Sequence, residues 1–106
     1  MCYSVCTIVH TGVVMQFEWD DAKNLANIRK HGIAFEDAID IFNHPMLCRI
    51  DDRVDYGEER WTAIGQIHYL VGVVVYAERV DDTLRIISAR KATKREVSRY
   101  EENIRY

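Results

Sequence analysis

"RWTAIGQIHYLVGVVVYAERVDDTLRIISARK", residues 60–91, decides the fold. Three runs in it have strand composition: "RWTAIGQI", "YLVGVVVYAE" and "LRIISAR". They are rich in β-branched and aromatic residues, which fit a pleated surface. A tight turn around His68 separates the first two, and "RVDDT" separates the second and third. Connections this short join antiparallel neighbours, so the stretch predicts a three-stranded meander. The middle run is almost continuously apolar, which places it centrally, covered on both faces.

Toward the N-terminus, "MLCRID" predicts another strand, joined to the meander by the polar "DDRVDYGEE". Before it, Phe35, Ala38, Ile39 and Phe42 fall at i, i+3, i+4 and i+7, predicting a helix over "FEDAIDIFNH" that Pro45 closes. Earlier still, "QFEW" reads as a short strand. Asp20 or Asp21 then caps a helix that runs to about His31 and stops at Gly32. Beyond the meander, Thr93 and Glu96 form a capping box, and Val97, Tyr100 and Ile104 make an apolar helical stripe. The sum is an α+β fold: a small antiparallel sheet packed with two N-terminal helices and one C-terminal helix.

At 106 residues the chain is expected to form a single domain over 15–106. Residues 1–14 are expected to be an extension, a loose tail or an edge strand, with Met15 as the natural start. The apolar part of that extension has no basic residue before it and is too short and polar to span a bilayer. With three cysteines and no disulfide framework in the spacing, a reducing cytoplasm is expected. Cys2, Cys6 and His10, joined by His44 or Cys48, could form a zinc site. Structural zinc sites usually space their cysteines more tightly, so neither metal nor cofactor is expected.

Charge is unevenly spread. Residues 1–83 hold 7 Lys+Arg against 14 Asp+Glu, and residues 84–106 hold 7 against 3. A basic end on an acidic chain points to an anionic partner, or to a solvated cationic face. Arg90, Lys91, Lys94 and Arg95 surround the predicted start of the last helix, where backbone amides and the helix dipole also favour phosphate. On the first helix Lys23, Asn27, Lys30 and His31 fall within an arc of roughly 100°. Such a stripe is either plain solvated surface or a phosphate-facing surface in which His31 exchanges protons. His31 also has a structural reading, as a charge on the C-terminal end of the helix dipole. Glu58, Glu59 and Arg60 open a strand, as a surface ion pair or as a base beside a cation. No P-loop, metalloprotease or dinucleotide motif is present.

Taken together, "FEWDDAKNLANIRKHGIAFEDA", "GEERWTAIG" and "RIISARKATKREVSRYE" resemble the BrnT family of toxins from type II toxin–antitoxin systems. The likeness spans about residues 16–103. It implies a RelE-like fold and a ribonuclease that inhibits translation by cutting RNA, and since the sequence shows no metal-ligand motif the chemistry is expected to be metal-independent. From the cysteines and the short apolar run, a cytoplasmic protein with no membrane association is expected. A BrnA-like ribbon-helix-helix antitoxin is the implied partner, and operator DNA would be reached only through that antitoxin. By position, the resemblance carries over Lys23, Asn27, Lys30, His31 and Gly32, then Gly57, Glu58, Glu59 and Arg60. It ends with Ser88, Ala89, Arg90, Lys91, Thr93, Arg95, Glu96 and Tyr100. Ala34 departs from the serine or threonine often found there, losing a helix cap worth about 1 kcal/mol.

The expected catalytic set is therefore His31, Glu59, Arg60, Arg90 and Tyr100. Arg90 is expected to stabilise the phosphate, and His31 or Glu59 to act as base. Lys23, Lys30, Lys91, Lys94 and Arg95 are the expected RNA-phosphate contacts. The rival expectation is a non-catalytic module that binds nucleic acid or antitoxin.

Overall fold

The computed structural model describes residues 4–6, 15–51 and 58–104. Six strands form one sheet: β1 (Ser4–Cys6), β2 (Gln16–Glu18), β3 (Met46–Asp51), β4 (Arg60–Ile67), β5 (Leu70–Arg79) and β6 (Thr83–Lys91). Their spatial order is β1-β3-β4-β5-β6-β2. The expected meander is β4-β5-β6, and the very apolar β5 lies inside the sheet. All pairings are antiparallel except β2 on β6, which is parallel and adds an outer strand. Of the N-terminal extension, Ser4–Cys6 is the edge strand beside β3, and its other residues lie outside the described ones.

Both hairpin turns use left-handed backbone. His68 has φ 51°, and Asp81 and Asp82 have φ 58° and 54°. Two successive positive φ values give the twist that a tight hairpin needs, and aspartate tolerates that region better than most residues. Register shifts by one between β5 and β6: Val75 faces Ser88 while Tyr76 faces Ile86, so Ile87 is the extra residue.

Alternation along the strands sorts side chains onto two faces. One carries Met46, Cys48, Ala63, Val74, Tyr76 and Ala89. It is covered by α2 (Phe35–Ala38) and by the 3-10 helix Ile39–Asn43, through buried Phe35, Ala38, Ile41 and Phe42. The other face carries Leu47, Ile64 and Val73 beneath Val97, Tyr100 and Ile104 of α3 (Lys94–Ile104). Helices on both faces explain why β5 has almost no polar residue before Glu78.

The second helix differs from expectation after Ala38, where it tightens to 3-10 geometry. Consecutive Ile41 and Phe42 are both buried there. The Asp40 carboxylate also accepts the His68 backbone N–H at 2.8 Å, tying the segment to the β4–β5 turn. That hydrogen bond holds the Asp40 carboxyl below the usual carboxylate range.

Helix α1 (Asp21–His31) has its predicted ends. Asp20 accepts the Lys23 N–H at 3.1 Å, and Gly32, at φ 73°, donates to Ile28 O at 2.8 Å. Its orientation corrects the expected polar stripe. Asn24 and Asn27 are the buried residues of this helix, while Leu25 and Ile28 are exposed. Asn24 accepts the Phe35 N–H at 2.9 Å and donates to Glu36 at 2.8 Å. Asn27 donates to the carbonyls of Ile33 and Ala89, both at 2.8 Å, and accepts the Ala89 N–H at 3.2 Å. Asparagine anchors the helix because it satisfies backbone groups that no apolar side chain could.

The expectation of a chain without disulfides is also corrected. Cys48 is disulfide-bonded. The Tyr76 hydroxyl lies 3.9 Å from its sulfur. Burial, then the charge of Glu78, pushes the Tyr76 phenol up to about 12. Among the described residues no helix is long and apolar enough to cross a membrane.

Candidate active site

Strand register lays arginines across the face that α3 shares. Leu47, Ile64, Val73 and Arg90 form one cross-strand row. Arg49, Thr62, Val75 and Ser88 form the next, and Asp51 and Arg60 pair in a third, with Arg85 on β6 beyond. Arg49, Arg60, Arg85 and Arg90 are all half-buried, so their guanidinium groups are constrained by neighbours. Arg49 and Arg85 were missed in the sequence. The signal that reveals them is the period-two placement of cations in "LCRID" and "LRIISAR", which becomes informative only once register shows which face they share.

Arg90 ends the first row at the start of α3. Its NH1 and NH2 donate to the two Glu96 oxygens at 2.8 and 2.9 Å, a two-armed fork. Glu96 also accepts the Thr93 N–H at 2.8 Å, while Thr93 Oγ1 accepts the Glu96 N–H at 3.2 Å. The capping box is thus present and extended to the strand. Hydrogen bonding from Arg90, then from the Thr93 backbone, holds the Glu96 carboxyl down at about 2 despite partial burial. Lys91, Lys94 and Arg95 are exposed around this corner.

The other candidates separate by position. Lys91, paired with Gly72, alternates to the opposite face from Arg90, the face that α1 covers. His31 is half-buried, one turn beyond Asn27 on α1, and Lys23 and Lys30 are exposed on the same helix. Tyr100 packs its ring in the α3–sheet interface. Arg60 shares the face of Arg90, but two strand spacings and four residues separate them, a Cα separation of about 17 Å. Arg60 lies 3.7 Å from Glu58, which also accepts from Arg79 at 3.1 Å. Glu59, exposed beside Arg60, is therefore at the far end of β4 from the corner. One end of the sheet brings together Arg90, Lys91, Lys94 and Arg95 around the α3 start. Arg60 and Glu59 stand apart. Among the described residues no group of three His, Cys, Asp or Glu is disposed to hold a metal ion.

A mixed sheet with helices on both faces and cations gathered at a strand-to-helix corner is an α+β architecture with a solved counterpart. The ribonuclease toxin BrnT of Brucella abortus matches it with a TM-score of 0.59 at 26% identity, over 76% of this chain and 100% of that one. The family described as ribonuclease toxin, BrnT, of type II toxin–antitoxin system matches residues 19–96. The chain belongs to the BrnT family. No curated protein matches it.

Proposed function

We propose that this toxin is a metal-independent endoribonuclease that inhibits translation by cutting RNA at the sheet end where β6 meets α3. The observation that supports the reading is the Arg90–Glu96 fork, which fixes a guanidinium beside a helix N-terminus among three further cations. The 2′-hydroxyl of one nucleotide attacks the adjacent phosphorus, its proton passing to a base, and the bond to the leaving 5′-oxygen breaks as that oxygen takes a proton. Arg90 stabilises the charge that builds on the phosphoryl oxygens, with Lys91 and Lys94 as supporting cations. His31 is the base in this scheme, since Glu59 stands at the other end of β4. Arg49, Arg60 and Arg85 track the RNA backbone along the face, and Tyr100 supports the corner through its packing. A BrnA-like ribbon-helix-helix antitoxin neutralises the toxin and carries the complex to operator DNA. The setting is the cytoplasm.

The test is Arg90→Ala, with folding checked by circular dichroism. RNA cleavage should fall by tenfold or more and growth arrest should be relieved. A folded variant that still cleaves at the wild-type rate removes Arg90 from the chemistry. Cleavage unchanged by EDTA is expected of a metal-independent reaction.

A second reading, a binding module without catalysis, draws on the same fork, because Arg90 already has a full structural partner in Glu96. It predicts salt-sensitive RNA binding with no cleaved product.

A further inference from the structure

A cavity of about 230 Å³ opens beside the corner, between the end of α1 and the β4–β5 turn. Buried Ile33 and Ile67, with Leu70, supply its apolar lining. Tyr69 stands at it with its side chain wholly exposed, at 104% of the reference area. Asp37 is the carboxylate among the lining residues. The volume lies below the range of roughly 300–1,000 Å³ usual for drug-sized ligands and suits a single ring system.

The turn that carries Tyr69 is held in place. His68 adopts φ 51°, its N–H is taken by Asp40 at 2.8 Å, and its Nε2 lies 3.3 Å from Asp37. An aromatic ring presented on a pinned turn, beside an apolar hollow, is what stacking on a base requires. The hollow is also next to the cations. Val71, two residues from Tyr69, accepts the Ala92 N–H at 3.0 Å, and Gly72 pairs with Lys91. Lys91 alternates to the side of the sheet that α1 covers, and His31 immediately precedes the lining residue Gly32.

We infer that this cavity is a nucleobase subsite, which takes one unpaired base of a single-stranded RNA. This rests on the ribonuclease reading. Tyr69 stacks on the base, while Ile33, Ile67 and Leu70 receive its apolar face. Asp37 can only accept hydrogen bonds when ionised, so it takes an N–H donor on the edge of the base, an exocyclic amine or a ring N–H. The adjoining phosphate then reaches Lys91 and the α3 corner.

The experiment measures the binding of short single-stranded RNAs, differing at one base, to the intact protein and to Tyr69→Ala, Asp37→Asn and Arg90→Ala. Tyr69→Ala should weaken binding about tenfold whichever base is present. Asp37→Asn, which adds a donor where the carboxylate has only acceptors, should change the order of affinity among the four bases. Asp37 and Tyr69 are exposed, so thermal unfolding should match the parent protein. If RNA binds and Arg90→Ala weakens it, but Tyr69→Ala and Asp37→Asn change neither affinity nor preference, the subsite is overturned and the ribonuclease reading survives. If no RNA binds at all, the ribonuclease reading falls and the subsite with it. If Tyr69→Ala weakens only antitoxin binding, the cavity is a protein-docking site and the inference is wrong.

Discussion

Asn27 fastens α1 to the rest of the fold through hydrogen bonds to the backbone of Ile33 and Ala89. Helical spacing places it correctly in an arc with Lys23, Lys30 and His31, and nothing local says that the arc's edge turns inward. The buried ends of its hydrogen bonds are the backbone of Ala89, 62 residues away, and Ile33. Apolar periodicity could not find them, because the helix docks with asparagines and leaves Leu25 57% exposed. Asn27→Ala would leave a buried N–H and carbonyl oxygens without their partner. Each such group costs about 1–3 kcal/mol, so a loss of about 3 kcal/mol is expected. Urea unfolding measures it, and a loss below about 1 kcal/mol would mean that the helix docks by other contacts. Arg90 was legible for the opposite reason: it sits where strand composition ends and a capping motif begins, and both signals are local.

At the scale of elements, strands, turns and caps could be read almost directly, since each depends on residues close in sequence. The single long second helix could not, because its change to 3-10 form follows from a contact with the distant His68 turn. Nor could the fork, which needs β6 and α3 to meet at a particular angle. That fork has a pH signature. The Glu96 carboxyl falls from 4.5 when free to about 2 in the folded protein, so its stabilisation is complete above about 4.5. It is lost as pH falls toward 2, the order required when folding lowers a carboxyl pKa. Glu96→Gln should therefore be less stable than the parent by a constant amount from pH 7 to 5. With allowance for solvent screening this is on the order of 2 kcal/mol. The gap should close between about pH 4.5 and 2. A gap independent of pH across that window would show that the charge is not what matters. Neighbouring β5 sets a steric limit as well. A Cβ on Gly72 would come 2.4 Å from Ile67 Cδ1 and 3.2 Å from the Arg90 carbonyl oxygen. Gly72→Ala should cost about 1–3 kcal/mol through displacement of buried Ile67, read as a lowered midpoint in urea.

Over the whole molecule, the acidic and basic halves of the sequence fold into one sheet, and the basic half supplies β6 and α3. The overall α+β class was readable because both helix and strand periods are strong. Which face each arginine occupies was not, because that depends on a register fixed by pairing across four strands, including a one-residue bulge at Ile87. On the proposed reading, four half-buried arginines on one face and an exposed cationic corner would meet about four phosphates. Binding to single-stranded RNA should then fall with salt at a log–log slope of about −3. Titration between 50 and 200 mM salt measures it, and a slope near zero would exclude a phosphate-dominated interface.

The end of β6 carries two neighbouring residues gripped from opposite sides. Ala89 is tied through its backbone to α1, and Arg90 through its guanidinium to α3. A strand end clamped in this way is finished without a ligand, so on the proposed reading no part of the substrate's binding energy would go into assembling it. A macromolecule that silences such a protein meets a completed surface. Its task is to lie over that surface, since there is no half-built structure there to hold open.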